Sequence, residues 1–188
     1  LILTLLLMTR AIHIDGFADL TDALFSGKTR EEKLRIMADG RIGVFGALGI
    51  FLLLILKLLL MSELQNREVL LIMPALSRWG MCLSIFSFPY AKEKGKGRIF
   101  KEGMNKRALF ISTITTLVFS ILFLSIKGLI LMALIFPIVL VSGKIIRGNI
   151  GGLTGDSYGA INEICEVLTL VFSFIPVEGG FIWERFFS

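Results

Sequence analysis

Five runs of this chain are apolar and close to the length that crosses a bilayer as a helix, and no other feature limits its fold so strongly. The hydrocarbon core takes about 20 helical residues. Ile42–Leu60 is interrupted only by Lys57, near its end, and Glu68–Phe88 only by Arg78 and its own flank. Ala108–Ile126 and Gly128–Ser142 are separated by little more than Lys127 and read as a helical hairpin, and Ala160–Pro176 carries Glu163 and Glu166 near its start. Leu1–Met8 reads as the end of an earlier span, so a chain that opens on Leu1 looks like a piece whose N-terminus is missing. Apolar residues make up 55% before the 19 glycines are added, and mean hydropathy is +0.81. That excludes disorder and an ordinary soluble enzyme. Cys82 and Cys165 both lie inside apolar runs, which leaves no disulfide framework and no cysteine metal motif. The expected fold is all-α: a single integral membrane domain over residues 1–188, a polytopic helical bundle with an acidic cytoplasmic loop-and-helix motif.

Lysine and arginine collect in cytoplasmic loops. If loops alternate sides, Thr9–Arg41, Ala91–Arg107 and Gly143–Gly159 share one side and carry fifteen basic residues, against Arg67, Lys127 and Arg185 on the other. The three long loops are therefore assigned to the cytoplasm, on the inner membrane of the cell. Ala91–Arg107 has seven basic and two acidic residues and accounts for the whole net charge of +5. The ordinary reading is a topology signal with attraction to anionic lipid, the sharper one a basic funnel for a phosphate-rich substrate. Nucleic acid is not expected as a partner, because aromatic interleaving stops at Phe100.

The stretch from Arg10 to Gly46 holds six acidic and six basic residues. On a helix turning 100° per residue, Asp15, Asp19 and Asp22 fall within an arc of about 60°. Like charges so placed repel by a few tenths of a kcal/mol per pair when exposed, and by more when buried. A divalent cation removes that cost, and magnesium prefers one or two carboxylates together with water and substrate phosphate. The ordinary alternative is a solvated acidic face. Gly16 lets either a second helix or a pyrophosphate approach the backbone. Thr29 and Glu32 have capping-box spacing. Arg35 and Asp39 lie four apart, an ordinary ion pair unless Arg35 or Arg41 grips phosphate and Asp39 joins a metal site. His13, the only histidine, points opposite to Asp15 on a continuous helix.

Gly151–Ala160 (GGLTGDSYGA) is glycine-rich and leads into the last span. Its free N–H groups could hold an anion, or it is a tight turn with Asp156 capping the helix. Arg78, in mid-span, is either a bidentate phosphate ligand or a structural partner of Glu163 or Glu166. Lys57 is expected to snorkel to the outer interface.

Three blocks, HIDGFADLTDALFSGKTREEKLRIMADGRIGVFG, PALSRWGMCLSIFSFPYAKEKGKG and GGLTGDSYGAINEICEVL, resemble the cobalamin synthase family of adenosylcobinamide-GDP ribazoletransferases over essentially the whole chain. The resemblance implies a magnesium-dependent membrane phosphotransferase of the last step of cobalamin assembly. It would join adenosylcobinamide-GDP and α-ribazole, or its 5′-phosphate, and release GMP. The family pattern falls on His13, Asp15, Gly16, Asp19, Asp22, Arg35, Asp39, Arg41 and Gly43, then Arg78, then Gly152, Thr154, Gly155, Asp156, Gly159 and Glu166. It implies Mg²⁺ on Asp15, Asp19, Asp22 and Asp39, catalytic duty for Asp22, Asp39, Arg35 and Arg78, and substrate binding by Gly16, Arg41, Gly152, Gly155 and Asp156. Family members normally begin with a further helix and span. A CDP-alcohol phosphotransferase of lipid synthesis would use similar acids, but its D-x-x-D-G-x-x-A-R arrangement is absent. A cation transporter would want its acids near the bilayer midplane.

Overall fold

The computed structural model describes residues 2–92 and 95–176; Leu1, Arg185 and part of the basic Ala91–Arg107 loop lie outside the described residues. The chain forms α1 (Ile2–Thr9), α2 (Ile12–Phe25), α3 (Arg30–Ile36), α4 (Val44–Ser62), α5 (Val69–Ser87), α6 (Arg98–Gly103), α7 (Lys106–Ile150) and α8 (Gly155–Phe172). Among the described residues no strand forms, and only an isolated bridge joins Tyr90 to Leu153. Among the described residues three helices, α4, α5 and α7, are long and apolar enough to cross a membrane.

The helix α7 is two helices in one. Ser125 has non-helical dihedrals (φ 52°, ψ −134°), and beyond it Gly128 lies against the backbone of Ser120. Residues eight apart on a straight helix are about 12 Å apart, so the chain doubles back at Ser125. The return arm runs on to Ile150, where Gly151 (φ 82°) closes it with a hydrogen bond from its N–H to the Arg147 carbonyl, 2.7 Å. The expected loop from Gly143 is thus helical for its first eight residues. Ile146 and Ile150 carry the buried face onward while Lys144 stays exposed.

The helix α8 occupies the middle of the bundle, packed chiefly on α2 and α5, then on α7 and α4. It is not among the helices apolar enough to span alone, because Asn162, Glu163 and Glu166 interrupt it. All three are buried, and the surrounding helices sheathe them. Its start is fixed by a capping box between Thr154 and Ser157, so Thr154, rather than Asp156, is the cap. A second capping box joins Thr29 to Glu32 at the head of α3. Arg30 and Lys33 then tie α3 to the end of α7, on the Ile150 carbonyl at 3.0 Å and the Asn149 amide oxygen at 2.6 Å.

Between α1 and α2, Arg10 and Ala11 both adopt left-handed dihedrals (φ 51° and 56°), a sparsely populated region for residues with a side chain. The break re-aims α2 across α8. Outward, α4 exposes Phe51, Leu52, Leu56, Leu58 and Leu59, as a lipid-facing helix does. Lys57 instead points inward, at 5% exposure.

Candidate active site: an acidic cleft beside a buried ion-pair cluster

The helices α2 and α8 cross almost backbone to backbone. A Cβ on Gly16 would stand 2.7 Å from both the Cα and the carbonyl oxygen of Asp156, and one on Gly159 would stand 3.0 Å from the His13 backbone. Of the two uses open to Gly16, the structure shows helix approach. The crossing brings Asp15 and Asp19, on α2, to Asp156, in the first turn of α8. Burial, followed by the charges of Asp15, Asp156 and Asp22, raises the Asp19 carboxyl to about 7. Burial also raises Asp156, with Lys92 as its chief counter-charge. Gly16→Ala is expected to cost about 1–3 kcal/mol, because the clash is with backbone that cannot swing away. Thermal unfolding of the detergent-solubilised variant measures it, and an unchanged midpoint would mean the helices do not approach this closely.

Beside this junction opens a cleft of about 290 Å³, lined on its polar side by His13, Asp15, Lys96, Gly97, Gly155 and Asp156. Lys96 supplies a positive charge from the basic loop, and Tyr158 lines the same space.

The other expected ligands are elsewhere. Asp22 is 8% exposed, and its carboxylate accepts hydrogen bonds from the N–H groups of Gly43 and Gly46 at 2.7 and 2.8 Å. It caps α4, whose own N-cap residue, Gly43, has no side chain to do so. Asp39 lines a separate open depression with Asp22 and pairs with Arg41 at 2.6 Å, not with Arg35. Its carboxyl is held below the usual range by the Arg41 hydrogen bonds. Arg41 is 88% exposed and Arg35 is exposed on α3, so neither guanidinium is held at the cleft. Gly152 leaves no room for phosphate either. It adjoins the Tyr90–Leu153 bridge, where Leu153 N–H donates to Pro89 O and Ala91 N–H donates to Leu153 O, both at 2.8 Å, and a Cβ on it would meet Pro89 O at 2.7 Å. Gly155 remains on the cleft wall.

Arg78 belongs to a second assembly, deeper in the bundle. Its Nη1 donates to Glu166 at 2.8 Å and to Ser77 Oγ at 3.0 Å. Lys57 Nζ donates to Glu163 at 2.5 Å and to Glu166 at 2.7 Å, and Asn162 Nδ2 donates to Glu166 at 3.1 Å. Lys57 does not snorkel: two carboxylates on the central helix offer more than the interface does. A small cavity of about 20 Å³, with room for one water, separates this cluster from Thr9 and His13. Sequence reasoning missed Lys57 because a lysine near the end of an apolar run is ambiguous until the helix facing it is known. The available signal was charge balance, since Glu163 and Glu166 outnumber Arg78.

Among the described residues, no three histidine, cysteine, aspartate or glutamate side chains converge to enclose a metal ion. The repelling trio Asp15, Asp19 and Asp156 nonetheless has the chemistry of a partial magnesium site, one that substrate phosphate and water would complete.

The sequence profile described as "Cobalamin-5-phosphate synthase" matches residues 1–174. Three curated relatives carry the name adenosylcobinamide-GDP ribazoletransferase. That of Roseiflexus sp. (strain RS-1) is 36% identical over 165 residues, covering 87% of this chain and 62% of its own length. That of Syntrophobacter fumaroxidans is 39% identical, with 87% and 67% covered, and that of Alkaliphilus oremlandii is 39% identical, with 90% and 69% covered. The chain thus spans about two thirds of the length of these relatives. No solved structure matches it.

Proposed function

Because the chain belongs to the cobalamin-5-phosphate synthase family, we propose that it catalyses the ribazoletransferase reaction of the relatives it matches, at the acidic cleft between α2 and α8. The observation that carries this reading is the meeting of Asp15 and Asp19 with Asp156 across the Gly16 crossing. Family membership favours it over a lipid synthase or a cation transporter.

The donor substrate is adenosylcobinamide-GDP and the acceptor is α-ribazole, a riboside of dimethylbenzimidazole. The acceptor 5′-hydroxyl oxygen forms a bond to the phosphorus that bears the cobinamide arm. The bond from that phosphorus to the bridging oxygen breaks, and GMP leaves with the bond's electron pair. We assign a magnesium ion to Asp15, Asp19 and Asp156; bound there, it would supply charge neutralisation on the pyrophosphate. The acceptor hydroxyl gives up its proton to a carboxylate oxygen of these three residues that the metal leaves free. Lys96 stands at the cleft to meet phosphate oxygens, and Gly97 and Gly155 let the substrate approach backbone. We assign this end of the bundle to the cytoplasmic face of the inner membrane, a reading that the excess of basic residues in its loops supports.

The test uses the native-length protein in liposomes, supplied with adenosylcobinamide-GDP, α-ribazole and Mg²⁺. GMP release that needs the acceptor and stops on chelation is the expected result. Well-folded protein that releases none would refute the assignment.

A further inference from the structure

The apolar end of the cleft has no part in the phosphoryl chemistry just described. Its apolar lining is Ile12, Met81, Ile85 and Phe100. Phe100 comes from α6, a helix held over the cleft by Lys101, whose ammonium donates to the Ile85 and Phe86 carbonyls at 2.6 and 3.1 Å. At the same cleft the Tyr158 residue is 3% exposed and its hydroxyl has no hydrogen-bond partner. A buried hydroxyl left unpaired carries a free-energy cost that a ligand acceptor would remove.

We propose that this apolar end is the acceptor-base pocket, holding the benzimidazole of the ribazole so that its ribose reaches the Asp15 and Asp156 side. The proposal rests on the ribazoletransferase reading. Two flat fused rings suit a cleft of about 290 Å³; a corrin macrocycle with its amide arms does not. The guanine of the donor would fit by size, but its edge carries several donors and acceptors, and this wall offers a single hydroxyl. A dimethylbenzimidazole presents a hydrocarbon edge to the wall and one ring-nitrogen acceptor besides. Phe100 and Met81 are the side chains best able to pack on its faces, by ring stacking and by sulfur contact. The pocket accordingly selects for the lower base, while the corrin ring stays outside it.

Phe100→Ala is the test, because Phe100 is 62% exposed and its loss leaves the core intact. In the liposome assay the KM for α-ribazole should rise about 5- to 10-fold, the loss of one stacked ring, with the KM for adenosylcobinamide-GDP unchanged. The unmethylated benzimidazole riboside should also be discriminated against less by the variant than by the wild type. A shift in the donor KM instead, or in neither, would overturn the pocket while leaving the transferase reading in place. Wild-type protein that releases no GMP would overturn both.

Discussion

Asp19→Asn is expected to lower acceptor-dependent GMP release by at least about 100-fold, the scale on which single charge-stabilising groups act in such sites. Stability should move the other way. A carboxyl raised from its ordinary value to about 7 binds its proton more tightly in the folded chain than in the unfolded one. Its ionisation therefore works against folding as pH rises through that window. Above pH 7 without divalent cation, the asparagine variant loses one of three repelling charges and should unfold at the same temperature as wild type or higher. Activity lost with stability kept separates a site residue from a structural one. Turnover near wild type would remove Asp19 from the site.

Lys57→Met should have the largest effect on folding. It strands Glu163 and Glu166, both buried, with only Arg78 to balance them. Removing one partner of a buried ion cluster costs about 3–5 kcal/mol. Adding Glu163→Gln leaves Arg78 and Glu166 as a neutral pair at 2.8 Å, so the double variant should recover much of the loss. Unfolding midpoints in detergent measure both. If the double variant is no better than the single one, the cluster does not act as a charge-balanced unit.

What was legible in the sequence depended on local pattern. The hairpin could be read from a polar interruption at Lys127, and the structure turns at Ser125, two residues earlier. The capping spacing of Thr29 and Glu32 is local and formed as such. The common face of Asp15, Asp19 and Asp22 follows from helical periodicity, yet periodicity does not say what the helix passes. Along α2 the three go from exposed through half-buried to buried, and Asp22 ends as the cap of another helix, 21 residues on from it at Gly43. Asp39 enters the expected metal set through the family resemblance, but Arg41, two residues away, is the nearer partner. Asp156 was placed by sequence among the substrate-binding residues. Its meeting with Asp15 and Asp19 depends on two glycines, Gly16 and Gly159, facing backbone across a crossing that no single segment encodes.

The inward lysine also bears on the order in which the bundle is made. Lys57 leaves the ribosome 106 residues before Glu163, which at ~5–20 residues per second is roughly 5–20 s. Throughout that interval a cation sits in a nascent span without its counter-ions, at about 2.5–3.5 kcal/mol if held at the centre. The stem can extend to the headgroups meanwhile, so the snorkelled position is the lysine's address during synthesis. Arrival of α8 draws it inward and latches α4 to α8, which makes synthesis of α8 the event that fixes these helices together.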